Sequence, residues 1–107
     1  MTFEQIKRII GEFDWTDQFF HEDEPTVEYA ETEAEREALT MLGKFEEVEH
    51  FGGEGKGDEY WTVYRFIDHN LYIQFDGWYA SHNGSEYSDM FEVEPKEVTE
   101  IKYLRKD

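Results

Sequence analysis

The side chains that could do chemistry here are 27 Asp and Glu and four His, and cysteine is absent. A chain without cysteine has no thiolate nucleophile, no thiolate metal site and no disulfide framework. His21, His50, His69 and His82 are scattered along the sequence. His21 with Asp17 and Glu24 would make a metal-binding trio if that segment were helical. His69 and His82 fall at opposite ends of an expected strand, about 30 Å apart at ~3.3 Å per residue, too far to share one ion. No Asp cluster has the spacing of an EF-hand loop. The expectation is no metal and no cofactor. Carboxylates this abundant single out no acid–base pair, and no serine, phosphate or cofactor motif accompanies them. We therefore read the chain as non-enzymatic.

Gly52-Gly53-Glu54-Gly55-Lys56-Gly57 has the composition of a phosphate-binding loop but not its order. A P-loop needs Ser or Thr after its Lys, and here Gly57 follows Lys56. The dinucleotide pattern fails too, because its glycine spacing is wrong and an expected strand follows instead of a helix. The stretch reads as a connection between strands.

Ten Lys and Arg against 27 acids leave a net charge of −17. Such a field repels nucleic acid and anionic membranes and speeds encounter with basic surfaces. The charge is uneven. Glu12 to Glu37 holds eleven carboxylates and one base, Arg36, while the other 81 residues hold sixteen acids and nine bases. No apolar run approaches the ~18 residues of a membrane helix. Met1-Thr2-Phe3-Glu4 does not read as the start of a signal peptide. A cytoplasmic location is expected.

These side chains must be carried by elements, and the pattern predicts an α+β chain of one domain, residues 1–107. Residues 1–43 are expected to be helical and acidic, and residues 44–104 to form an antiparallel sheet. Thr2 and Gln5 form a capping box, and Phe3, Ile6, Ile9, Ile10 and Phe13 recur at helical spacing, which predicts a helix over 3–12. Thr32 and Glu35 repeat the box, Ala34, Ala38, Met41 and Leu42 make a stripe, and Gly43 fits a left-handed stop. That predicts a second helix over 33–42. Between them, Asp14 to Thr32 is the least regular stretch, and Pro25 disfavours helix before it. Phe45 to Phe51 reads as an edge strand with Phe45, Glu47, Glu49 and Phe51 on one face and Glu46, Val48 and His50 on the other. Strands over Glu59–Ile67, Leu71–Ala80 and Tyr87–Val93 follow as a meander, the last joined through Asn83-Gly84. Residues 98–104 suggest a final strand. The fold expected is two short helices on one face of a three- to five-stranded antiparallel meander. The opposite face should expose Tyr and Trp.

The runs GGEGKGDEYWTVYRF, FDGWYASHNGSEY and FEVEPKEVTEIKYL together resemble small acidic proteins of unknown function encoded by tailed bacteriophages. The resemblance spans about Gly43 to Leu104. It implies a phage-encoded protein acting in the cytoplasm of a host cell, and it carries over no activity and no site residue.

The function expected is an interaction protein that binds a basic surface of a host protein. It would act as a nucleic-acid mimic inhibiting a defence or transcription factor, without binding nucleic acid or membrane itself. Asp14, Asp17, Glu22, Asp23, Glu24, Glu28 and Glu31 are the expected electrostatic contacts, with Trp15 or Phe20 as apolar anchor. Two alternatives are an adaptor that binds through the aromatic sheet face and a small metal-dependent enzyme.

Overall fold

The computed structural model describes residues 1–53, 55, 57–80, 84–96 and 106. The strand expected over 98–104 lies outside them, as do His82 and Asn83 of the expected turn.

Both capping threonines start helices, and the first box closes in full, whereas at the second the Glu35 carboxylate accepts from the Glu31 amide in place of the Thr32 amide. α1 spans Phe3–Glu12: Thr2 Oγ1 accepts from the Gln5 amide at 3.3 Å, and the Thr2 amide donates to Gln5 Oε1 at 2.9 Å. Two orphan amides of the first turn are thereby satisfied. A short helix, α2, spans Thr16–Phe20, and a 3-10 turn spans Val27–Tyr29. α3 spans Glu33–Leu42, capped by Thr32 Oγ1 and ended by Gly43 at φ +71°. A side chain at Gly43 would run into the Asp68 carboxylate, whose Oδ2 accepts from the Lys44 amide at 2.9 Å.

Four strands follow: β1 Phe45–Phe51, β2 Glu59–Phe66, β3 Leu71–Ala80 and β4 Gly84–Val93. They form an antiparallel meander in the order β1-β2-β3-β4. The class is the expected α+β, with a third helix, α2, that the sequence pattern does not predict.

One correction concerns β1. Its register shifts between Glu47 and Glu49, so that Glu47 pairs with Tyr64 and Glu49 with Val63. An extra residue in one strand reverses the alternation beyond it. Phe45 and Glu47 therefore share the helix side with His50, which pairs with Thr62, while Glu49 and Phe51 turn to the other side.

The core lies between the helices and one sheet face. Ile6 and Ile10 of α1 and Ala38, Leu39 and Leu42 of α3 meet Tyr64, Phe66, Leu71, Ile73, Phe75 and Met90. At the centre is Phe19 of α2, whose ring lies 5.0–5.9 Å from those of Phe45, Tyr64, Phe66 and Phe75. Aromatic pairs at this spacing add about 0.5–1.5 kcal/mol each beyond area burial. Phe20 packs on Tyr60 and Tyr87 and lies over Gly77, where a Cβ would come within 2.6 Å of its ring. The five-residue α2 thus fastens the acidic segment to β2, β3 and β4.

Candidate functional site

The acidic segment holds α2 and the 3-10 turn between irregular stretches and is anchored at intervals by buried residues: Trp15, Phe19, Phe20, Pro25 and Ala30. Main-chain hydrogen bonds close the turns between them, from Asp23 N to Gln18 O at 2.8 Å and from Ala30 N to Val27 O at 3.2 Å. Asp14, Asp17, Glu22, Asp23, Glu24, Glu28 and Glu31 are all exposed. Among the described residues, none of them lies within 4 Å of a Lys or Arg nitrogen.

Two of the expected contacts are not at the surface. Trp15 and Phe20, expected as anchors for a partner, are 4% and 0% exposed and belong to the core. Trp15 stacks on Phe13 at 4.9 Å. The exposed aromatic of the segment is Tyr29, at 77%. Beside it a groove of about 250 Å³ is lined by Phe13, Trp15, Pro25, Tyr29 and Glu31.

The trio His21, Asp17 and Glu24 is not assembled, although Thr16–Phe20 is helical. Both ring nitrogens of His21 face backbone carbonyls, Asp17 O at 2.8 Å and Ser85 O at 3.2 Å. The Glu24 carboxylate instead accepts from the Tyr64 hydroxyl at 3.1 Å. Burial, followed by the Glu24 charge, pushes the Tyr64 phenol well above its ordinary value.

A different cluster forms where the acidic segment crosses β1. Glu22 follows α2 in the left-handed region, φ +63°, and its side chain reaches the strand. Its Oε1 lies 2.9 Å from His50 Nδ1. Glu47 completes the group, and the three donor atoms lie within 4.8 Å of one another. Desolvation raises the Glu47 pKa, as do a hydrogen bond that its protonated carboxyl donates to Glu22 and the Glu22 charge, and His50 offsets part of that rise. His50 Nδ1 is also 3.0 Å from Thr62 Oγ1, and the Thr62 hydroxyl donates to Phe20 O at 3.1 Å. The Thr62 proton is committed to that carbonyl, so its oxygen accepts from His50. Tyr60 meets the imidazole edge-on at 4.9 Å.

From sequence, Glu22 reads as a partner contact, and strict alternation puts Glu47 and His50 on opposite faces. The signal missing from the sequence is the bulge at Val48, which puts side chains three residues apart on one side.

The sheet face away from the helices is a second candidate surface. Phe51, Trp78 and Phe91 are exposed there, with Phe51 stacked on Trp61 at 5.8 Å. Arg65 lies over the Tyr72 ring at 5.8 Å.

None of the helices in the described residues is long and apolar enough to cross a membrane. Comparison with protein-family models, with curated proteins and with solved structures returned no match.

Proposed function

We propose that this chain is a non-enzymatic acidic interaction protein that binds a basic surface of a partner protein. On the phage resemblance, that partner is a protein of the host cell. The observation that carries the reading is the exposure of seven carboxylates between Asp14 and Glu31 on a backbone pinned by Trp15, Phe19 and Phe20. Fixed charges lose less entropy on binding than charges on a loose tail. Nucleic-acid-binding proteins present rows of Lys and Arg to duplex DNA, which offers one charge per ~1.7 Å of axis. Carboxylates on an ordered surface meet the same rows, one charge each, and this favours nucleic-acid mimicry as the mode. Tyr29 takes the role of exposed aromatic contact that Trp15 and Phe20 cannot fill, and exposed Tyr is favoured in interfaces.

A second reading rests on Phe51, Trp78 and Phe91, whose exposure on the far sheet face suits an adaptor.

A tagged pull-down from bacterial lysate with salt-step elution tests both. The variant D14N/D17N/D23N/E28Q/E31Q takes the net charge from −17 to −12 and leaves Glu22 and Glu24, which hold His50 and Tyr64, in place. The expected result is a nucleic-acid-handling protein that wild type retains, moderate salt releases and the variant loses. Retention by the variant together with loss in Trp78→Ala overturns the acidic reading in favour of the sheet face.

A further inference from the structure

We infer that Glu22, Glu47 and His50 form a binding site for one divalent transition-metal ion. Three donors of two kinds converge from separate regions of the fold, the turn after α2 and strand β1, with donor atoms within 4.8 Å of one another. His50 Nδ1 and Glu22 Oε1 are 2.9 Å apart. Two donors at that separation, each about 2.1 Å from a common ion, subtend an angle near 90°, an octahedral edge. One imidazole with two carboxylates suits zinc, manganese, iron, cobalt or nickel. Calcium and magnesium prefer shells of oxygen.

The surroundings hold the ligands in place. The Tyr60 ring packs against the imidazole and restricts its rotation. The Thr62 contact falls on Nδ1 itself, and the ion takes its place. The β1 bulge puts Glu47 and His50 on one side of the strand. Glu22 and Glu47 face each other with no Lys or Arg nitrogen within 4 Å of either among the described residues. A divalent ion supplies the missing positive charge. The inference does not depend on the partner-binding reading.

Zinc titration followed by calorimetry, with histidine side-chain nitrogen NMR, tests it. The expected result is one saturable site and a shift of the His50 ring nitrogens. His21 and His69 should stay unshifted, because they face the carbonyls of Asp17, Ser85 and Met41. His50→Gln and Glu47→Gln should each weaken zinc binding at least about tenfold, the lower end for losing even an outer contact of a metal site. Glu28→Gln and Glu31→Gln remove the same charge elsewhere on the surface and should leave affinity unchanged. Glu47 is exposed, so its amide variant tests the site even if His50→Gln unfolds. Absence of saturable binding overturns the inference. So does equal zinc affinity in wild type and Glu47→Gln, which would mean diffuse attraction to an acidic surface.

Discussion

Replacing Phe20 with alanine should destabilise the protein by about 3–5 kcal/mol. The side chain is fully buried, between Tyr60 at 4.9 Å and Tyr87 at 5.9 Å, with Gly77 beneath its edge. A Phe buries roughly 150–250 Å², worth about 4–6 kcal/mol at ~25 cal/mol per Å², and this is an upper bound because unfolded chains are partly compact. The cavity would open between α2 and the sheet, where Gly77 has no side chain to relax into it. Domains of this size are stable by about 5–15 kcal/mol. The loss is therefore a large share of the total and should lower the Tm by roughly 12–20 °C, at about 4 °C per kcal/mol. Urea unfolding followed by circular dichroism and by tryptophan fluorescence measures it, with coincident transitions as the two-state check. Tyr29→Ala is the control: at 77% exposure it should change stability by no more than about 0.5 kcal/mol. A Phe20→Ala protein within about 1 kcal/mol of wild type would refute the packing argument and return Phe20 to the surface as a partner anchor.

Three further outcomes follow from the same contacts. Thr62→Val keeps the shape but strands the Phe20 carbonyl and removes an acceptor of His50, which should cost about 1–3 kcal/mol in urea unfolding. Gly77→Ala would push a Cβ into the Glu86 carbonyl and to 2.6 Å from Phe20, and should cost about 1–3 kcal/mol or more by the same assay. In alkali, the Tyr64 phenol has a folded-state pKa raised above its unfolded value of about 10, so the folded state holds that proton more tightly. Its contribution is complete below about pH 10 and is lost as pH rises further. Urea midpoints should therefore fall from pH 9 to 11, and the fall should be shallower in Tyr64→Phe; parallel curves would contradict it.

The sequence announced some features of the molecule because local chemistry decided them. Thr2 and Thr32 begin the two longer helices through side-chain caps that need nothing beyond three residues downstream. The aromatic runs of β2 and β3 alternate cleanly, and both form strands. α2 was not legible: five residues, Thr16-Asp17-Gln18-Phe19-Phe20, are too few to hold a helix alone, so packing of Phe19 and Phe20 must stabilise it. The same two rings look like surface groups because carboxylates surround them in sequence, whereas their burial depends on a sheet face about forty or more residues away. The carboxylates of the acidic segment were legible as exposed groups. The Glu22, Glu47 and His50 cluster was not, since it requires a left-handed Glu22 and a bulge at Val48, and no local signal marks either.

The central claim is that the carboxylates from Asp14 to Glu31 carry partner binding. The most direct measurement is the affinity for the captured partner as a function of salt, for wild type and for D14N/D17N/D23N/E28Q/E31Q. The account predicts a steep loss of affinity with rising salt in wild type, weaker binding with a shallower slope in the variant, and competition by duplex DNA. An affinity that ignores both salt and the five substitutions, yet falls in Trp78→Ala, would contradict it.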